Sequence, residues 1–236
     1  MTPLANNHIS IDCVVFGFDG QHLKVLLVKR KGEDAEGKYN DRKLPGSLIY
    51  QDENLDEAAG RVLSELTGIK EVPLVQFKAF GSKDRTSNER DVVWLERAQS
   101  VRVERIVTIA YFAIVKMDAP QLRTLRRENA EWVCVEEVGT LAFDHNLIIE
   151  EALKAIRREA DNNRALLFDL LPKKFTAAQL RVLNEIVFGK KLDVRNFHKK
   201  LSQLPYVVAL EEKQKGVAHR AARFYRFDKK AYNNVR

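Results

Sequence analysis

The sequence predicts an α+β protein in which a mixed sheet between helices is followed by a winged helix-turn-helix. Three observations support this. Short runs rich in Val, Ile, Leu and Phe alternate with helical patterns over residues 1–160, and two further helical patterns joined by a tight turn precede two alternating runs near the C-terminus. The charge also changes along the chain: residues 1–150 contain 20 basic and 24 acidic residues, a net of −4, whereas residues 151–236 contain 20 and 9, a net of +11. We therefore predict domains at 1–150 and 166–236, joined by a linker helix at 151–165.

The basic C-terminal part predicts a polyanion partner, either nucleic acid or an acidic membrane surface, with a solvated basic face as the plain alternative. Cys13 and Cys134 have no metal-ligand spacing, and the N-terminus has no charged-then-apolar signal pattern. No apolar run approaches the roughly 18 residues of a membrane-spanning helix. We expect a cytoplasmic protein without cofactor, metal site or membrane association.

The N-terminal strands are predicted from apolar, β-branched and aromatic runs. The first two form a hairpin through Asp19-Gly20, the segment Glu33–Arg42 is a polar loop, and a charged segment extends to Arg105. A helix is predicted from Leu147 to about Ala160. The predicted strands are Ile9–Phe18, Leu23–Val28, Val75–Phe80, Ile106–Val115 and Trp132–Val135.

Polar side chains in these elements are candidates for a binding site. Ser10 and Asp12 alternate with apolar residues in the first strand, so they face either a pocket or solvent. His145 has no second His or Cys nearby, which favours a capping or hydrogen-bonding role over metal binding.

The stretch Leu44–Ile69, reading LPGSLIYQDENLDEAAGRVLSELTGI, is predicted to form a strand, a turn and a helix. Pro45-Gly46 breaks the chain, Asn54 or Asp56 caps the helix, and Gly68 ends it. This spacing arranges Glu53, Arg61 and Glu65 around one helix.

The C-terminal part contains a helix after Thr176 that stops at Gly189, and a second helix from Asp193 to about Gln203. Strands at Tyr206–Leu210 and Ala222–Phe227 flank the basic loop Lys213–Arg220. A recognition helix and wing of this kind suit the major groove, because Arg and Asn contact base edges while Lys neutralises phosphate. A helix-packing module is the alternative, but it would lack the basic wing. The predicted DNA-binding residues are Lys174, Arg195, Asn196, His198, Lys199, Lys200, Lys215 and Arg220.

The stretch Leu44–Ile69 resembles the Nudix box, whose pattern is Gly, five residues, Glu, seven residues, then Arg-Glu-aliphatic-x-Glu-Glu-x-Gly-aliphatic. Six positions match, whereas Ser47 stands at the opening glycine, and Val62 and Leu66 replace two helix glutamates. In the family these carboxylates hold the divalent metals of hydrolysis. The resemblance therefore implies a retained scaffold without catalytic residues, in a Nudix-like α/β/α sandwich. The matching positions are Glu53, Arg61, Leu63, Glu65, Gly68 and Ile69.

With LAFDHNLIIEEALKAIR, LLPKKFTAAQLRVLNEIVFGKKLDVRNFHKKL and RAARFYRFD, the resemblance extends over nearly the whole chain to the Nudix-related transcriptional regulators. It implies a homodimer that represses metabolic operons and leaves double-stranded operator DNA when a small molecule fills the Nudix pocket. Branches of the family respond to ADP-ribose or to L-arabinose. A working Nudix hydrolase, or an RNA-binding or membrane-surface protein, are the rival functions.

We expect the effector pocket to be formed by residues of the first strands, the box and the segment after Phe80. A diphosphate placed near Glu65 without a metal would be repelled, which favours L-arabinose, with ADP-ribose as the alternative. The predicted effector-binding residues are Asp12, Arg30, Lys43, Gly46, Ser47, Glu65 and Arg85.

Overall fold

A computed structural model of the chain describes residues 4–34, 37–100, 102–103, 105–117, 125, 129–214, 216 and 221–235. It divides into two compact units, the first formed by residues 1–16, 24–114 and 119–154 and the second by residues 17–23, 115–118 and 155–236. The strands are β1 Ala5–Phe18, β2 Leu23–Asp34, β3 Gly37–Lys43, β4 Gly46–Tyr50, β5 Val75–Phe80, β6 Val107–Lys116, β7 Ala130–Cys134, β8 Phe175–Thr176, β9 Val207–Lys213 and β10 Arg223–Phe227. The helices are α1 Leu55–Thr67, α2 Glu89–Gln99, α3 His145–Asn162, α4 Ala177–Phe188, α5 Val194–Leu201 and α6 Lys229–Asn233.

The N-terminal unit is built on a mixed sheet with the strand order β3-β2-β1-β6-β5, in which β4 also pairs with β1 and β7 with β2. Strand β1 lies at the centre, and the side chains from Ile11 to Phe18 are buried. Helix α1 begins at a capping box in which Asn54 and Glu57 bond each other's backbone N–H groups. It ends at Gly68, whose φ of 81° is the left-handed conformation that glycine adopts readily. The predicted strand, turn and capped helix are therefore confirmed.

The C-terminal unit has the helix-turn-helix and wing that the sequence predicts. Thr176 caps α4 in a second capping box with Gln179, and Gly189 ends that helix at a φ of 63°. Asp193 caps α5. The wing is the antiparallel pair of β9 and β10, and the short β8 pairs with β10.

Two elements differ from the prediction. The segment Glu33–Arg42 was predicted as a loop, but β2 continues to Asp34, and β3 begins at Gly37 and pairs with β2 over seven positions. The charged segment before Arg105 contains α2, whose first turn is capped by the side chain of Asn88. Within the described residues, every helix is too short or too polar to cross a bilayer.

Candidate functional site

A small cavity opens beside the centre of the sheet in the N-terminal unit. Its volume is about 20 Å³, which is room for one water molecule. The lining includes five predicted effector-binding residues together with residues from α2 and from the start of α3. The lining residues are Ser10, Asp12, Lys43, Gly46, Ser47, Arg85, Thr86, Trp94, Leu95, Ile106, Phe143 and His145.

Asp12 and Gly46 lie opposite each other in the pairing of β1 with β4. A Cβ atom on Gly46 would lie 1.9 Å from Asp12 Oδ1 and 2.9 Å from the carbonyl oxygen of Ile11. Only glycine leaves space here for the carboxylate. Ser10 and Asp12 are 7% and 3% exposed, so they face the cavity and not solvent.

Arg85 connects Asp12 with the residue that precedes α3. Its Nη2 donates to Asp12 Oδ2 at 2.7 Å, and its Nη1 donates to Asp144 Oδ1. Burial opposes the charge of Asp12, but His145 and Arg85 beside it hold the pKa of this carboxyl well below its usual range. The cavity therefore contains a buried, ionised carboxylate with an arginine bound to it.

His145 has the hydrogen-bonding role predicted for it. Its Nδ1 accepts a hydrogen bond from the backbone N–H of Leu44 at 3.1 Å, so the ring proton lies on Nε2, which is 3.3 Å from Asp12 Oδ1. Burial lowers the pKa of His145, which favours this neutral tautomer.

Lys43 contributes the second cation of the cavity. It is 4% exposed, and its Nζ donates to the carbonyl oxygens of Leu44 and Gly46 at 3.1 and 2.7 Å. Burial lowers the pKa of Lys43 to about 8, against the partial compensation of Asp12. The ammonium lies 5.4 Å from the centre of the Trp94 ring, so an aromatic face borders it.

Arg30 does not line the cavity. Its Nε and Nη2 donate to Asp41 at 2.7 and 2.5 Å, and its Nη1 donates to Asp91 at 2.5 Å. Asp91 also accepts from the backbone N–H of Phe143 at 2.7 Å. Arg30 thus joins β3 to α2 and supports the cavity wall, where Phe143 adopts a φ of 54°, an unusual value for a bulky residue.

Glu65 also lies outside the lining. Its side chain is 55% exposed and accepts from Arg61 Nη1 at 3.1 Å. Arg61 binds Glu53 through Nε and Nη2 at 2.7 and 2.5 Å, and Glu53 accepts from the backbone N–H of Tyr50. These side chains brace the turn between β4 and α1.

The residues of α1 do not fit the metal site that the Nudix box implies. Val62 is fully buried and Leu66 is apolar, so neither position offers an oxygen ligand. Glu53 is bonded to Arg61 through both oxygens. In the part of the chain that the structure describes, no three His, Cys, Asp or Glu side chains converge as metal ligands.

Sequence reasoning missed the cavity residues from α2 and from the chain just before α3. Trp94 and Leu95 were hidden in a segment to which no helix was assigned, although Asn88 followed by Asp91 is an N-terminal helix signal. Phe143 lines the cavity, where its backbone N–H donates to Asp91 of α2, and no local pattern predicts this contact.

The predicted DNA-binding residues that the structure describes are exposed. Asn196 and Lys200 line a groove among α3, α4 and α5, and the other predicted residues of α5, Arg195, His198 and Lys199, lie outside that groove. Lys174 lies before β8 and pairs with Glu212 of β9. Lys215 and Arg220 fall outside the described residues.

One further feature suits a polyanion at the C-terminal unit. Lys213, the last residue of β9, lies directly opposite Arg223, the first residue of β10, and like charges in this position are unfavourable unless an anion lies between them. In the turn between α4 and α5, Glu185 accepts from the backbone N–H of Leu192 at 2.8 Å and from Arg181 at 2.6 Å. The turn that presents α5 is therefore held by its own hydrogen bonds.

Two family models match the chain. Residues 6–156 match the NUDIX domain. Residues 167–227 match the NrtR DNA-binding winged helix domain.

Individual proteins match over both parts. The ADPR responsive transcriptional repressor NtrR of Acinetobacter baylyi is 29% identical over 229 residues, which are 95% of this chain and 84% of that protein. The crystal structure of Shewanella oneidensis NrtR complexed with a 27mer DNA aligns with a TM-score of 0.65 at 24% identity over 95% of each chain. A MutT/nudix family protein from Enterococcus faecalis aligns with a TM-score of 0.59 at 22% identity, covering 95% of this chain and 89% of that one. These two likenesses concern the fold.

Proposed function

We propose that this chain, which belongs to the NUDIX domain family and carries an NrtR-type winged helix, is a dimeric transcriptional repressor that ADP-ribose releases from operator DNA. The observation that carries the proposal is the joining of a NUDIX match and a DNA-binding match in one chain whose basic charge is concentrated in the second part. The similar Acinetobacter baylyi protein is described as an ADPR responsive repressor. A cytoplasmic location, as expected from the sequence, is consistent with this role.

ADP-ribose replaces L-arabinose as the favoured effector. The argument for the sugar was repulsion between Glu65 and a diphosphate, but Glu65 lies outside the cavity lining. The lining instead contains Lys43 and Arg85, two cations suited to phosphate oxygens, and Trp94, an aromatic face for a base or sugar. The comparisons give no support to L-arabinose.

The effector must open the cavity, because a volume of about 20 Å³ admits neither ligand. We propose that the diphosphate takes Arg85 from Asp144, since guanidinium groups bind phosphate in a bidentate manner. Asp144 immediately precedes α3, so this exchange changes the contacts at the start of that helix. The strained Phe143 adjoins the same point.

We further propose that the protein does not hydrolyse ADP-ribose. Hydrolysis by this family depends on carboxylates that hold divalent metals, and Val62 and Leu66 stand at two of those positions. Purified protein with millimolar Mg²⁺ or Mn²⁺ should release no AMP above a no-enzyme control. Turnover clearly above that control would establish the hydrolase alternative.

A thermal-shift titration tests the effector. ADP-ribose at a hundred times its dissociation constant should add about 2.7 kcal/mol to the free energy of unfolding. Ser47→Tyr should abolish this gain by filling the cavity, whereas the matched Ser64→Tyr, half-buried on α1 outside the lining, should keep it. The proposal fails if ADP-ribose gives no shift, or if L-arabinose gives a larger one that Ser47→Tyr removes.

A further inference from the structure

The C-terminal unit contains a second and much larger cavity, separate from the proposed effector site. Its volume is about 700 Å³, within the range of sites for drug-sized molecules. It lies among the end of α3, α4 and α5. The groove is thus bordered by the helix that we expect to read DNA.

The floor of the groove is apolar. Leu167, Phe168, Leu180 and Leu201 are each no more than 5% exposed and reach the groove from three elements. Phe188, Phe197 and Tyr206 line it as half-buried aromatic side chains. Such a floor suits the aromatic or aliphatic body of a ligand, because filling it removes apolar surface from water.

The rim of the groove is basic. Its cations are Arg164, Lys190, Lys191 and Lys200, and its acids are Asp161 and Asp193. Asp193 is already used, because its carboxylate accepts the backbone N–H of Asn196 at 2.8 Å. Lys191 Nζ lies 3.9 Å from Glu185 Oε2, whereas within the described part of the chain Lys190 and Lys200 have no carboxylate partner. The Arg164 guanidinium lies 5.4 Å from the Phe188 ring centre.

Binding of operator DNA would explain the cations beside α5, because a duplex presents phosphates. It would not explain the apolar floor, because neither phosphates nor base edges would fill an apolar groove. A ligand with an apolar body and an anionic head satisfies both. We propose that this groove is a second binding site, which takes an anionic small molecule with an aromatic or aliphatic body.

The test uses two dyes with similar ring systems. The anionic dye is 1-anilinonaphthalene-8-sulfonate and the neutral one is N-phenyl-1-naphthylamine, titrated into the full-length protein by fluorescence. We expect one anionic dye per chain, bound about tenfold more tightly than the neutral dye, as for a charge-assisted hydrogen bond.

Variants locate the site. Asn184→Trp should remove binding of both dyes, since Asn184 lines the groove and a larger side chain fills it. Lys190→Glu with Lys191→Glu should weaken only the anionic dye, by about tenfold. The control Lys229→Glu with Lys230→Glu reverses two exposed lysines of α6 and should change neither. Circular dichroism verifies that each variant is folded.

Equal affinity for the two dyes, or binding that Asn184→Trp leaves unchanged, would overturn the proposal. So would a groove covered by a second copy of the chain. In that case the unmodified protein would bind no dye, and Asn184→Trp would convert dimer to monomer in sedimentation.

Discussion

Asp12 and Gly46 restrict each other across two paired strands. The carboxylate occupies the place that a side chain at Gly46 would need, and it is held there by Arg85 and His145. A side chain at Gly46 would therefore displace the Asp12 carboxylate and disturb its contacts with Arg85 and His145. The backbone of Ile11 closes the other side, so a Cβ atom cannot be accommodated by rotating one side chain.

We predict that Gly46→Ala lowers the free energy of unfolding by about 1–3 kcal/mol, as overpacking does, and abolishes ADP-ribose binding. Gly60→Ala is the matched control. Gly60 lies inside α1 with open space around an added Cβ, so alanine should raise stability by about 0.5–1 kcal/mol. Urea unfolding and calorimetric titration measure both effects. A Gly46→Ala protein with unchanged stability and affinity would contradict the cavity geometry.

Lys43 predicts a pH dependence for effector binding. The buried amine has a pKa lowered to about 8, so the free protein loses this charge as the pH rises through that value. An anionic ligand prefers the protonated form, and ADP-ribose affinity should therefore fall above about pH 8. Lys43→Arg, which stays charged, should flatten the profile. Calorimetry in two buffers should also detect proton uptake on binding above that pH, and affinity that stays constant without uptake would exclude Lys43 from phosphate contact.

Single residues show where sequence reasoning succeeds and where it stops. Asp12 was a candidate because it alternates with apolar neighbours in the first strand, a pattern that left a pocket and solvent equally open, and the structure places it in the cavity. Arg30 was a candidate because it is a cation at the end of the second predicted strand that could bind either effector, but its partners Asp41 and Asp91 come from β3 and α2. Because neither element was predicted, nothing in the sequence indicated that Arg30 was already bonded.

At the scale of elements, those with strong end signals were predicted well. Capping residues and the following glycines fixed α1 and α4, since these residues satisfy backbone groups wherever the helix packs. β3 has polar composition because its side chains are largely half-exposed, and only pairing with β2 makes it a strand. Helix α2 is rich in charged residues because most of its described side chains are exposed or half-buried, and only Asp91 and Leu95 are buried.

Helix α5 should divide its contributions to DNA binding between base reading and charge neutralisation. Arg195→Ala is expected to cost about 1–3 kcal/mol of specific binding and to relax discrimination at one base pair. Lys199→Ala should weaken binding to all sequences and reduce the salt slope by about 1. Both side chains are exposed on α5, so neither change should alter the melting temperature much. Fluorescence anisotropy on duplexes selected from a random pool, at several salt concentrations, measures these effects, and equal losses for the two variants on all sequences would contradict the division.

At the scale of the whole molecule, the change in net charge between residues 1–150 and 151–236 predicted a chain of two different domains. The fold class was confirmed, with a Nudix domain preceding a winged helix. The domain boundaries remain a prediction, and the division into compact units falls inside α3, between Lys154 and Ala155. The identity of the effector was not predictable, because it depends on which side chains converge on one cavity.

We predict that the protein is a dimer that binds a pseudo-palindromic site with half-sites about one helical turn apart or a multiple of it. One winged helix offers limited contact, and a two-fold pair reads twice as many bases. Sedimentation with and without selected duplex, and footprinting of the complex, test this. Only monomer at micromolar concentration, both free and on DNA, would exclude the dimer.

The central claim is that effector binding in the N-terminal cavity and operator binding by the winged helix are coupled. An ADP-ribose titration of the protein bound to its selected duplex tests this claim most directly. The structural basis is Arg85, which bonds Asp12 in the cavity and Asp144 at the start of α3. A coupling free energy of about 1–3 kcal/mol predicts that saturating ADP-ribose weakens DNA binding by roughly 5- to 150-fold, and that DNA weakens ADP-ribose binding by the same factor. L-Arabinose should leave DNA affinity unchanged, and Ser47→Tyr should bind DNA without responding to ADP-ribose. If saturating ADP-ribose leaves the DNA affinity of the unmodified protein unchanged, the account is wrong.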